Sequence, residues 1–221
     1  MVTDRDTDLA RLEAENARLR AQLAATQHRV RNTLAVIRSI ARRSAEATHS
    51  VEDYAMHLDG RIGAFARVQG ALLRDPDAGM ALDALISDTM LLALAREGER
   101  WTLSGPAVTL KAKAAELIGL ALHELATNAV KFGALSWPRG RIAVSWHLAE
   151  NGAGDDARLM VTWTEIGAPE PTVAARHGFG LETLQRTLSF ELGAVTTLDF
   201  TADGVICRIG LPLNLVHPIL A

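Results

Sequence analysis

Three polar side chains recur at short spacing inside a segment that is otherwise apolar. In His123-Glu124-Leu125-Ala126-Thr127-Asn128-Ala129-Val130-Lys131-Phe132-Gly133, a carboxylate, an amide and an ammonium sit four and then three residues apart. On a helix this spacing places Glu124, Asn128 and Lys131 on one stripe, beside an apolar stripe of Ile118, Leu122, Leu125, Ala129 and Phe132. Oxygen donors suit a hydrated magnesium ion, and a lysine ammonium meets phosphate charge. A solvated helix face has the same pattern, so this helix alone leaves both readings open.

Further segments narrow the chemistry. Trp163-Thr164-Glu165-Ile166-Gly167-Ala168-Pro169 ends an extended run with a carboxylate and a flexible turn. Arg176-His177-Gly178-Phe179-Gly180-Leu181 then passes through a glycine pair into a helix, where free backbone N–H groups can receive phosphate. Near the other end of the chain stands His28-Arg29-Val30-Arg31-Asn32-Thr33-Leu34. Here an imidazole is followed closely by two arginines and, one turn further on, by an amide.

The elements that must carry these groups are legible from periodicity. With Leu9 at heptad position a, seven of the ten a and d positions from Leu9 to Ile40 are aliphatic, the exceptions being Asn16, Thr26 and Thr33. No proline or glycine interrupts the run, which predicts a coiled coil over the first forty residues. A buried Asn16 amide favours a parallel, in-register dimer. The same register puts His28 at f, farthest from the seam and facing solvent. A second helix is predicted from Val51 to about Leu72, which makes residues 1–74 a helical hairpin. Asp75-Pro76-Asp77-Ala78-Gly79 reads as a linker over residues 75–79. Residues 80–221 then mix helices at 82–95, 112–132 and 179–192 with extended runs at 100–110, 141–148, 158–164, 195–200 and 205–211. The fold class is therefore α+β, with helices on one face of an antiparallel sheet.

Composition bounds the partners. The 221 residues carry a formal net charge of −3, so a nucleic acid is not expected as the main partner, and 48% apolar residues suffice for a buried core. The apolar run 117–122 is closed by Glu116, His123 and Glu124, well short of a membrane span, and Met1-Val2-Thr3-Asp4 does not open a secretory signal. One cysteine, Cys207, allows neither an internal disulfide nor a zinc cluster. A cytoplasmic protein without membrane attachment is expected.

Taken in order, these segments resemble the histidine kinases of the HWE family over about residues 27–213. That family is named for a His in its asparagine-containing box and a Trp-x-Glu in its first glycine box, here His123 and Trp163-Thr164-Glu165. Its phosphoacceptor box matches His28 to Leu34, and its second glycine box matches Gly178-Phe179-Gly180. The resemblance implies a Bergerat-type α/β-sandwich ATPase domain behind a hairpin that forms a four-helix bundle in a homodimer. It implies that ATP and Mg2+ are the cofactors: Glu124 orients or activates a water near the ion, Asn128 coordinates it, Lys131 and Arg176 contact phosphate, and Glu165 accepts from the adenine amine. Gly167, Gly178 and Gly180 then belong to the nucleotide lid, and Trp163 packs beside the pocket. His123 takes either a structural or a catalytic part.

The implied activity is autophosphorylation of His28, with Arg29 and Asn32 supporting it, and then transfer to an aspartate on a response regulator receiver domain. Signal would enter through the coil, a separate sensor protein or a further domain. A catalytically inactive phosphotransfer or scaffold protein of the same fold is the alternative. Two departures stand out: Ala25-Thr26-Gln27 precedes His28 where an acidic residue is common, and Ala168 replaces a second glycine.

Overall fold

In the computed structural model, residues 3–46, 50–72, 79–93, 100–149, 157–168 and 179–218 are described. The uninterrupted heptad stretch forms one helix, α1 (Thr3–Glu46), of 44 residues. At 1.5 Å per residue it is about 66 Å long. Its seam residues Leu9, Leu12, Leu19, Leu23 and Val30 are each more than half exposed. The chain divides into two units, Met1–Ala45 and Glu46–Ala221. Of the predicted linker at 75–79, only Gly79 falls among the described residues.

The second unit opens with α2 (Val51–Leu72), followed by β1 (Met80–Ala81), α3 (Leu82–Ala93), β2 (Trp101–Ser104), β3 (Val108–Leu110) and α4 (Ala112–Lys131). After a short 3-10 turn at Ala134–Ser136 come β4 (Arg141–Ala149), β5 (Arg158–Ile166), α5 (Phe179–Leu192), β6 (Val195–Thr201), β7 (Gly204–Pro212) and β8 (Val216–Pro218). Helices and strands fall where periodicity predicted them, with ends shifted by a few residues, except that the run at 100–110 is split in two and residues 94 and 95 of the predicted helix at 82–95 lie outside the described residues. The arrangement is α+β, as the hydrophobic periods require.

Two features depart from the expected antiparallel sheet. The main sheet has five strands in the order β2-β4-β5-β7-β6, and its β2–β4 pair is parallel. A parallel pair needs a long crossover, and the segment between these strands supplies one that includes α4. The extended run at 100–110 is also two strands in different sheets: β3 pairs antiparallel with β1 and β8 to make a separate three-stranded sheet. β1 and β8 span two and three residues, too short for alternation to register.

One face of the main sheet is apolar. Ile142, Val144 and Trp146 of β4 lie beside Glu165, Trp163 and Val161 of β5, which lie beside Cys207 and Ile209 of β7 where β7 reaches. These apolar residues pack in a single core with Ile118, Leu122, Leu125 and Ala129 of α4 and Leu188 of α5. Period 2 on the strands and period 3.6 on α4 thus meet in one interface, and that interface fixes which groups reach the end of β5.

Candidate functional site

Glu165 occupies the last position of the buried row Leu159-Val161-Trp163-Glu165 on β5, so the alternation that buries three apolar side chains buries its carboxylate as well. Only 4% of it is exposed. Oε2 accepts the backbone N–H of Ala134 at 2.7 Å, and the Trp163 indole N–H lies 3.4 Å from Oε1. Burial pushes the Glu165 carboxyl above the ordinary carboxylate range, with both donors opposing the rise. A side chain at Gly133 would collide with Glu165 Oε2, so glycine is what lets the carboxylate approach the end of α4.

The turn after α4 is held by Arg100. Its guanidinium donates to the carbonyls of Ala134 at 3.2 Å, Leu135 at 3.3 Å, Gly140 at 3.0 Å and Trp137. The fork adds to the turn's own bonds, in which Trp137 N–H donates to the Ala134 carbonyl and Gly140 N–H to the Trp137 carbonyl, and so helps fix the Ala134 N–H that Glu165 receives. Arg100 escaped sequence reading because an arginine before a strand carries no period. On the other side, Gly167 has φ +78° and donates its N–H to Asp203 Oδ1 at 3.1 Å, while Ala168 N–H donates to the Asp203 carbonyl. The left-handed conformation explains why glycine stands at position 167.

The polar stripe of α4 meets a neighbour. Glu124 is 7% exposed, and Arg61 of α2 grips both its oxygens, Nε to Oε1 at 2.7 Å and Nη2 to Oε2 at 2.8 Å. Lys131 is exposed, and its Nζ lies 3.0 Å from His57 Nε2, also on α2. Asn128 is half-buried between them. Spacing alone places these three on one stripe; it does not reveal that α2 covers that stripe. The available signal was the pair His57 and Arg61, one turn apart, with Gly60 beside them.

His123 is half-buried beside Gly60. Burial chiefly holds its imidazole below the ordinary histidine range; Glu124 opposes this, and Arg67, Arg61 and His57 add to it. Trp163 is 1% exposed within the core. Cys207, its cross-strand neighbour, has its thiol pushed up to about 12 by burial, which leaves it unreactive as a thiolate.

His28 lies on the exposed surface of α1, with the Asn32 amide nitrogen 3.3 Å from its Nδ1. Arg29 Nη2 reaches Thr26 Oγ1 at 3.5 Å. Of the second glycine box, Gly180 lies in the first turn of α5, whereas Arg176, His177 and Gly178 lie outside the described residues. The structure therefore brings Glu124, Asn128, Lys131, Gly133 and Glu165 together around α4 and the end of β5. His28, Arg29 and Asn32 belong to the other unit.

Residues 26–107 match the family model described as HWE histidine kinase. A "Blue-light-activated histidine kinase 1" of Erythrobacter litoralis is 32% identical over 217 residues, 94% of this chain and 58% of that protein. A "Blue-light-activated histidine kinase" of Brucella ovis is 29% identical over 208 residues, 94% of this chain and 42% of that protein. The chain thus spans about half the length of the curated relatives it matches. Among solved structures, a blue-light activated histidine kinase of Erythrobacter litoralis shares the fold with a TM-score of 0.57 at 22% identity, covering 87% of this chain and 59% of that one. No described helix is long and apolar enough to cross a membrane.

Proposed function

We propose that this chain, whose residues 26–107 match the HWE histidine kinase model, is an ATP-dependent protein-histidine kinase that phosphorylates its own His28 and passes the phosphoryl group to an aspartate of a response regulator. The observation that carries this reading is the His28–Asn32 pair. An imidazole attacks through its unprotonated nitrogen, so something must fix the tautomer. With the Asn32 amide nitrogen donating, Nδ1 is occupied as acceptor. A half-turn of the amide instead lets its oxygen accept from Nδ1–H and leaves the Nε2 lone pair free for the γ-phosphorus. Nε2–P then forms as the bond from the γ-phosphorus to the bridging oxygen breaks, ADP leaves with that electron pair, and the Nδ1 proton passes to the solvent in which His28 is exposed.

The nucleotide reading rests on the donor set around α4. Among the described residues no group of three or more His, Cys, Asp or Glu side chains could hold a metal alone. Magnesium keeps several waters and takes only one or two protein oxygens besides phosphate, which fits Asn128 with Glu124. The bound ion would neutralise phosphate charge. Lys131 would meet phosphate, and Glu165, at the floor of the site, would read the adenine amine. Residues 1–74 serve in this reading as the dimerising phosphoacceptor hairpin and 80–221 as the ATP-binding domain. The exposed leucines of α1 support a homodimer seam.

Incubation with γ-labelled ATP and magnesium should give an acid-labile, base-stable label. His28→Ala should remove it while nucleotide binding persists. Label that survives in this variant moves the acceptor elsewhere; no label in the wild type, with ATP bound, favours an inactive phosphotransfer or scaffold protein.

A further inference from the structure

Helices α2 and α4 run antiparallel, and their partnered positions make a ladder. His57 meets Lys131, Gly60 meets His123, Arg61 meets Glu124, and Gln69 Nε2 donates to Glu116 Oε1 at 2.6 Å. A Cβ at Gly60 would lie 2.9 Å from His123 Nε2, and one at Gly119 would lie 2.9 Å from Val68 Cγ2. Glycine on each helix therefore lets the two approach closely, and this brings the short reach of His57 to Lys131. Two of the three polar groups on the α4 stripe are engaged by α2 side chains one helical turn apart.

We propose that His57 and Arg61 form a latch on the nucleotide site, holding Lys131 and Glu124 in a state that ATP·Mg must displace. This rests on the nucleotide reading above. The bidentate Arg61 fork neutralises the carboxylate that would draw a hydrated cation and sets a guanidinium charge beside that cation's place. His57 takes a Lys131 N–H that phosphate would otherwise receive. A ligand shifts such an equilibrium only by its differential affinity for the two states, and here the difference is explicit: two charged contacts to α2 are exchanged for contacts to phosphate and metal. A buried ion pair is poorly suited to add stability but well suited to trade partners, since each ion must be paired wherever it lies. Arg61 and His57 touch no reacting atom in this account, so they control the positions of Glu124 and Lys131 rather than acting on substrate.

The test compares MgATP affinity in the full chain for wild type, His57→Ala and Arg61→Lys, together with backbone hydrogen exchange across α2 with and without MgADP. Lysine keeps the charge beside Glu124 but loses the fork, which guards against simple misfolding. The expected result is tighter MgATP binding in both variants, by about threefold or more, because the apparent Kd falls as the competent fraction rises. Exchange along α2 of the wild type should rise when MgADP binds. An unchanged Kd with a slower phosphorylation rate would mean that His57 and Arg61 support the productive arrangement instead of blocking it, and overturns the latch. Equal affinities with unchanged α2 exchange overturn the latch and leave the kinase reading standing. No binding by any of the three proteins overturns the nucleotide reading and the latch together.

Discussion

α1 and the end of β5 each carry a group proposed above for the same reaction, yet they hold it by opposite means. On α1, His28 sits in water on a helix whose seam leucines are also exposed, and among the described residues its side-chain partner is Asn32, four residues away in sequence. At the end of β5, Glu165 lies under the core, and its partners are a backbone N–H 31 residues away and the Trp163 indole of its own strand. A group fixed by local spacing can be exposed and adjustable, as a phosphoryl carrier must be. A group fixed by tertiary packing is held rigidly, and its carboxylate bears the cost of burial.

The contrast breaks first at Trp163. Truncating this fully buried side chain to Ala should cost about 3–5 kcal/mol, read as a lowered denaturation midpoint of the sheet unit. His28→Ala in the same assay should move the midpoint by no more than about 0.5 kcal/mol, because the residue is exposed. Comparable losses at the two positions would mean that α1 is not the independent surface its exposure describes.

A smaller effect concerns pH. The Glu165 carboxyl is raised by burial, so the folded state binds its proton more tightly than the unfolded chain does. Its contribution is therefore fully present at low pH and fades as pH rises from the ordinary carboxylate range through the folded pKa. Glu165→Gln should remove that fall, and the wild-type-minus-variant difference in stability should slope by at most about 1.4 kcal/mol per pH unit across the window. Glu116, raised by its own half-burial, contributes the same sign in both proteins and cancels from the difference. A flat difference from pH 4 to 8 would show that Glu165 is solvated.

The smallest change is expected at Asn16, an exposed position of α1. Asn16→Leu should raise the thermal midpoint of the assembled coil modestly and should broaden a single dimer into several oligomers, because the amide restricts register at a cost in stability. Light scattering alongside thermal melts checks both halves. A wild-type chain that is monomeric at micromolar concentration would dismiss the seam altogether.

Much of this molecule was written locally. A heptad without glycine or proline dictates α1, period 3.6 dictates α4, and period 2 places Glu165 in register with Trp163 and Val161, since each depends only on bond geometry and on which neighbours are apolar. The boxes holding His28, His123, Trp163 and Glu165 were legible in another way, as residue types in an order that resembles the HWE family. The sequence could not say that β2 joins the main sheet parallel to β4 while β3 leaves for another sheet. Nor could it say that Arg100 binds the turn after α4, or that Arg61 and His57 cover Glu124 and Lys131. Those contacts join residues 34 to 74 positions apart, and no periodic signal links them. They exist because the apolar stripe of α4 must be buried on the sheet, and once that burial fixes α4, the helix ladder along α2 decides which charges meet.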